Sequence, residues 1–124
     1  MIENIISSHI VGAAIEVHRT LGGPGLLESV YEEALAWELG NRGLEVERQK
    51  EIKIQYKSVA LATPLRLDLL IDQRVIVECK AVTSYNSIFE AQALTYLRLT
   101  GLKLALVINF GDRFVKNGIH RVIN

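Results

Sequence analysis

With 124 residues, 49% of them apolar and 23% charged, the chain has the size and composition of one folded domain and is too apolar for a disordered one. A formal net charge of zero removes the strongly basic signature of a nonspecific polyanion binder. One cysteine, Cys79, excludes an intrachain disulfide and a cysteine-cluster metal site, so any metal needs oxygen or imidazole ligands; no apolar run reaches membrane-span length and no leader pattern follows Met1, so a cytoplasmic protein with no membrane partner is expected.

Ile5, Ile6, Ile10, Ala13, Ala14, Val17 and Leu21 follow the i, i+3, i+4 spacing of one buried helix face, which predicts a first helix over about residues 2–20. Gly22, Gly23, Pro24 and Gly25 end it in a tight loop. Leu27, Val30, Tyr31, Ala34, Leu35 and Leu39 repeat the helical period, predicting a second helix over about 26–41 with Gly43 as a left-handed cap and Trp37 in the core or at an interface. The period then falls to two at Leu44 and Val46, at Ile52, Ile54 and Tyr56, and at Val59 and Leu61, as in half-buried strands.

Two β-rich runs, Leu65 to Ile71 and Val75 to Lys80, flank the polar stretch Asp72, Gln73, Arg74 and read as a hairpin. A third helix is expected over about 87–100, opened by a Ser87–Glu90 capping box and stopped by Gly101, with Ile88, Ala91, Leu94 and Leu97 facing inward. The continuous apolar run Leu104 to Phe110 suits a strand buried on both faces, and Ile119 to Ile123 an edge strand.

Asp68 and Glu78 each interrupt a run that otherwise wants burial. If residues 72–74 form the loop, Ile71 pairs with Val75, and counting inward sets Asp68 opposite Glu78 with Lys80 on their face. Directly opposed like charges destabilise a sheet, and a divalent cation reverses that sign. Carboxylate oxygens suit Mg²⁺ or Mn²⁺, which also accept phosphate oxygens, and Lys80 would position or help deprotonate an attacking water. The reaction implied is phosphodiester hydrolysis. The alternative is an ordinary strand pair in which Lys80 or Arg66 answers one carboxylate.

Gln92 and Tyr96 lie four apart on one helix face, and Gln92 is a candidate buried amide. Glu28 opens the second helix, where the helix dipole favours a carboxylate and where it could serve as a further acidic ligand. His9 and His18 do not share a helix face and His120 is distant in sequence, so packing or capping roles are expected of them; Cys79 alternates away from Glu78 into the core. The charge divides unevenly: residues 1–62 hold 6 Lys/Arg against 9 Asp/Glu, and residues 63–124 hold 8 against 5.

Taken together, these segments resemble the GxxExxY protein family, whose namesake spacing is met by Gly25, Glu28 and Tyr31, with further landmarks in HRTLG, RLDLLI, VIVECKAV, EAQALTYL and LTGLKLALVINF. That family is similar to PD-(D/E)XK nucleases, and Gln92 with Tyr96 resembles their RecB-type Q-x-x-x-Y element. The resemblance implies an α/β restriction-endonuclease-like core with a mixed central sheet flanked by helices. It also implies Glu28, Asp68 and Glu78 as metal-binding acids, Lys80 as catalytic lysine, Gln92 and Tyr96 as helix-borne site residues, Mg²⁺ or Mn²⁺ as cofactor and DNA as the favoured nucleic-acid partner. Leu67 replaces the proline of the superfamily motif, and one extra glycine precedes GPG. A non-catalytic nucleic-acid- or protein-binding module on the same fold is the second reading, and a homodimer would suit cleavage of a duplex.

Overall fold

The computed structural model describes residues 1–124. Its elements run α1 (Ile2–Leu21), α2 (Glu28–Asn41), β1 (Val46–Ile52), β2 (Gln55–Tyr56), β3 (Val59–Ala60), β4 (Leu65–Ile71), β5 (Val75–Lys80), α3 (Ile88–Thr100), β6 (Leu104–Asn109) and β7 (Ile119–Ile123), with a single 3₁₀ turn at Val115–Gly118. Five strands form one mixed sheet in the order β1-β4-β5-β6-β7, in which only β5 and β6 run parallel. That parallel pair is joined by α3, the crossover that a β-α-β unit requires. β2 and β3 make a separate two-residue hairpin with exposed strands, so the alternation at Tyr56 and Val59 marks a surface ribbon and not a half-buried strand.

Each face of the sheet carries its own apolar layer. Ile10, Ala14 and Val17 of α1 and Tyr31, Leu35 and Leu39 of α2 pack on Leu69, Ile71, Val77, Cys79, Leu106 and Ile108. On the opposite face Ala93 and Leu97 of α3 cover Leu65, Leu67, Leu70, Ile76, Ala105 and Val107. β6 is buried along its whole length, as its unbroken apolar run required. No helix is long and apolar enough to cross a membrane.

Three local expectations change. The inward face of α3 is Phe89, Ala93 and Leu97, whereas Ile88 and Ala91 are exposed. Ser87 forms no side-chain cap; Asn86 Oδ1 instead accepts the Ile88 amide at 2.9 Å. Trp37 is 67% exposed, which overturns the core half of its core-or-interface reading. At the end of α2, Gly43 at φ 88 does act as the left-handed cap, with its amide on the Gly40 carbonyl and the Leu44 amide on the Leu39 carbonyl.

Tyr31 ties the glycine loop to this frame. Its ring is fully buried and stacks on Phe110 with centroids 4.8 Å apart. Its hydroxyl donates to the Gly23 carbonyl at 2.7 Å and accepts the Leu26 amide at 3.1 Å. Replacing Tyr31 by Phe keeps the stack but leaves both backbone groups without that partner, so chemical denaturation should show a loss of about 1–3 kcal/mol. A change under roughly 0.5 kcal/mol would mean that water replaces the hydroxyl freely.

Candidate active site

The hairpin closes as the residue count requires, with Ile71 opposite Val75, Leu70 opposite Ile76 and Leu69 opposite Val77. Asp72 and Gln73 form its turn with positive φ of 50° and 55°, and Asp72 is fixed there because its Oδ1 accepts the Glu45 amide at 2.8 Å. Beyond Leu69 and Val77 the ladder stops. β4 continues alongside β1 and β5 alongside β6, so a gap opens between β4 and β5.

Asp68 and Glu78 bridge that gap in place of ladder bonds. Glu78 Oε2 accepts the Asp68 amide at 2.9 Å, and Asp68 Oδ2 accepts the Cys79 amide at 2.9 Å. Each carboxylate therefore satisfies a backbone donor on the other strand. The strand also changes face here: Leu67 belongs to the α3 layer and Leu69 to the α1–α2 layer, although a regular strand would keep them together. Opposite Asp68, Gln49 has φ 50, a matching break in β1.

No ion pair neutralises the two acids. Arg66 pairs with Glu51 at 2.6 Å, and Lys80 Nζ lies 4.6 Å from the Phe89 ring centroid with no carboxylate within salt-bridge distance. The ordinary ion-paired alternative is thus excluded. Glu78 is only 5% exposed, and burial followed by the charge of Asp68 pushes its carboxyl up to about 8, against the opposing effects of the Asp68 amide and Lys80.

Of the remaining predicted residues, Glu28 and Tyr96 come near this pair. Glu28 and Asp68 line a concavity of about 700 Å³ together with Glu32, Arg48 and Gln49. The Glu28 carboxyl is raised by burial, drawn down by Lys80 and raised again by Asp68 and Glu32. From α3, the Tyr96 phenol is raised by burial and then by Glu78 and Asp68, with the Gln92 amide opposing. Gln92 itself is exposed, which corrects its reading as a buried amide: the inward register of α3 is set by Phe89, Ala93 and Leu97, and position 92 falls outside it. His18 is structural, its Nε2 donating to the carbonyls of Phe110 at 3.2 Å and Asp112 at 3.0 Å. Cys79 is buried in the α1–α2 layer, as its alternation required.

Glu32 was not anticipated. It is 5% exposed, accepting from Gln49 Nε2 at 2.9 Å and Arg48 Nη2 at 3.3 Å. Gln49 Nε2 also lies 3.5 Å from Asp68 Oδ1, linking α2 to β4. The signal was its i+4 spacing from Glu28, which puts both on one helix face. Nothing about Gln49 marks it in the sequence, because glutamine is not a turn-former.

The donor set fits a hard divalent cation in its chemistry. Asp68 Oδ1 and Glu78 Oε1 are not held by the backbone, and the pair lacks a counter-charge. No three acidic or imidazole groups converge closely enough to form a complete cage. Two carboxylates completed by waters and phosphate oxygens is the arrangement Mg²⁺ commonly accepts.

A family model described as the PD-(D/E)XK nuclease superfamily matches residues 4–122. No curated protein and no solved structure matches the chain.

The raised Glu78 carboxyl has a sign that can be checked without metal. A carboxyl whose folded value exceeds its unfolded one stabilises fully below about 4.5, and that contribution is lost as pH rises through about 8. Glu78→Gln keeps an oxygen for the Asp68 amide and removes the charge. Its stability gain over wild type should be under about 1 kcal/mol at pH 5 and grow to roughly 2–4 kcal/mol at pH 8.5, at about 1.4 kcal/mol per pKa unit. A gain that does not vary with pH would refute the buried, unneutralised charge.

Proposed function

The chain belongs to the PD-(D/E)XK nuclease superfamily, and on that premise we propose that it is a divalent-metal-dependent nuclease that hydrolyses phosphodiester bonds, with DNA as substrate. The observation that carries this reading is the unneutralised Asp68–Glu78 pair at the parting of β4 and β5. A binding module has no use for a buried and a half-buried like charge held against each other by the backbone, whereas a cation-dependent hydrolase needs them.

In this reading Asp68 and Glu78 would hold the ion through the oxygens left free by the backbone, with Glu28 as a further acid on the α2 side. When bound, Mg²⁺ or Mn²⁺ supplies charge neutralisation for the phosphate oxygens on which negative charge develops. Lys80 is not consumed by an ion pair, so its side chain is free to orient the attacking water or a phosphate oxygen. Its ammonium nitrogen lies over the Phe89 ring, 4.6 Å from the centroid, a contact that limits where it can go. Tyr96, whose phenol feels the charges of Glu78 and Asp68, and Gln92 beside it would orient the substrate's sugar-phosphate chain from α3. One observation favours a non-catalytic module instead: no complete set of three ligands is assembled in the chain by itself.

Calorimetric titration with Mn²⁺ should show one ion bound by wild type and at least tenfold weaker binding by Asp68→Ala. Because Glu78 must lose its proton to act as a ligand, affinity should rise between pH 6.5 and 8.5 with proton release. Equal binding by both proteins would remove Asp68 from the site.

Cleavage is tested separately. With Mn²⁺ and a panel of DNA and RNA substrates, wild type should cut DNA, and Lys80→Ala should reduce the rate by about 10²–10⁴-fold, the range for loss of a positioned acid–base group. No cleavage of any substrate by metal-loaded wild type would move the assignment to the binding module.

A further inference from the structure

A second surface lies at the same end of the sheet. β5 and β6 run parallel, so their C-terminal ends emerge side by side, with Lys80 opposite Asn109 and the Phe110 amide on the Lys80 carbonyl at 2.8 Å. The segment 111–118 that follows β6 is therefore fastened directly beside the strand that bears Glu78 and Lys80.

That segment is held rigidly at its base. Asn109, 1% exposed, receives the amides of Val82 and Gly111 on Oδ1, each at 3.0 Å, and donates through Nδ2 to the Val82 carbonyl and to Asp112 Oδ2. A Cβ on Gly111 would sit 2.2 Å from the Val82 carbonyl oxygen, and one on Gly118 would sit 2.5 Å from that of Asn109. Both sites require glycine because backbone approaches backbone there. His18 adds its bonds to Phe110 and Asp112 from α1.

What this clamp presents is chemically specific. Phe114 is 56% exposed, with the Arg113 guanidinium carbon 5.3 Å from its ring centroid. Arg19, Arg113, Phe114 and Lys116 line a cavity of about 450 Å³ to which no Asp or Glu contributes. Arg113 and Lys116 have no carboxylate partner; Arg19 is paired with Glu16. The loop's own acid, Asp112, is turned inward to Asn109. Unpaired cations around a fixed, exposed aromatic ring combine a phosphate-binding surface with a base-stacking one.

The geometry points to a single-stranded nucleic-acid contact at Arg113, Phe114 and Lys116, in which an unpaired base stacks on Phe114 while the two cations hold the flanking phosphates. The identity of the ligand rests on the nuclease reading, and the surface would guide a strand toward the acids beside it. A single strand is the chemistry that fits, because bases within a duplex do not offer a free face to a ring standing on a loop.

The test measures binding alone, by fluorescence anisotropy of labelled oligo(dT) and of a labelled duplex in EDTA, where no cleavage occurs. Wild type should prefer the single strand. Phe114→Ala should weaken oligo(dT) binding by about 5- to 100-fold and Phe114→Trp should restore it, since the ring face is what matters. The double variant Arg113→Ala/Lys116→Ala should lower the salt slope by about 1.4, or about 0.7 for each lost phosphate contact. Lys57→Ala, an exposed cation on the β2–β3 hairpin, should change neither quantity. The proposal is overturned by no oligo(dT) binding, by preference for the duplex, by wild-type affinity in Phe114→Ala, or by an equal effect of Lys57→Ala. Binding with the expected pattern but without metal-dependent cleavage would keep this contact and sink the nuclease assignment; cleavage with unaltered binding by the Phe114 variants would do the reverse.

Discussion

Where β4 and β5 part, two partly buried backbone amides lose their ladder acceptors, and Asp68 and Glu78 supply the replacements. Unpaired buried amides are costly, so these carboxylates are as much part of the sheet as any strand bond. The solution brings its own penalty, because it sets two negative charges against each other with no ion pair to either and only a more distant Lys80 opposing them. The protein can relieve this by taking up a proton, which is why Glu78 is pushed so far up, or by taking up a metal ion. Structure and chemistry are joined at this point: the same atoms that keep the hairpin closed create the demand for positive charge.

The parting of the strands also organises both apolar layers. Because β4 changes face at Asp68, Leu67 fills the α3 layer and Leu69 the α1–α2 layer. The acids thus stand at the boundary between layers, reachable by Glu28 from α2 and by Tyr96 from α3. A regular strand would have confined them to a single layer. The matching break at Gln49 lets β1 follow the change, and the Gln49 amide ties Glu32 to the same corner.

Much of this was legible in the sequence, for identifiable reasons. A three-residue polar loop between two apolar runs leaves one closing pair, and arithmetic then brings Asp68 and Glu78 together. The buried β6 and the parallel crossover followed from an unbroken apolar run after a helix. The end of the ladder was not legible, since it is accompanied by a positive φ at Gln49, a residue type that does not announce a break. The register of α3 failed for a different reason. Leu, Ile, Phe and Ala occupy nearly every angle around that helix, so the pattern admits more than one inward face, and packing against β6 and β7 selects the one through Phe89, Ala93 and Leu97. Gln92 changed from buried to exposed with that choice.

Charge distribution resolves what composition obscured. A net charge of zero argues against a polyanion substrate only if the charges are mixed, and here they are sorted. Glu28, Glu32, Asp68 and Glu78 cluster around one corner of the sheet. Arg113 and Lys116, free of acids, belong to the segment whose start at Phe110 is fastened to the end of the strand that carries Glu78. A polyanion approaching the acids alone would be repelled; one held by the cations and admitted to acids already neutralised by a divalent ion would not. Neutral overall charge therefore conceals local surfaces of opposite sign, and on the proposed function the acidic one would be neutralised by the cation before a polyanion reached it.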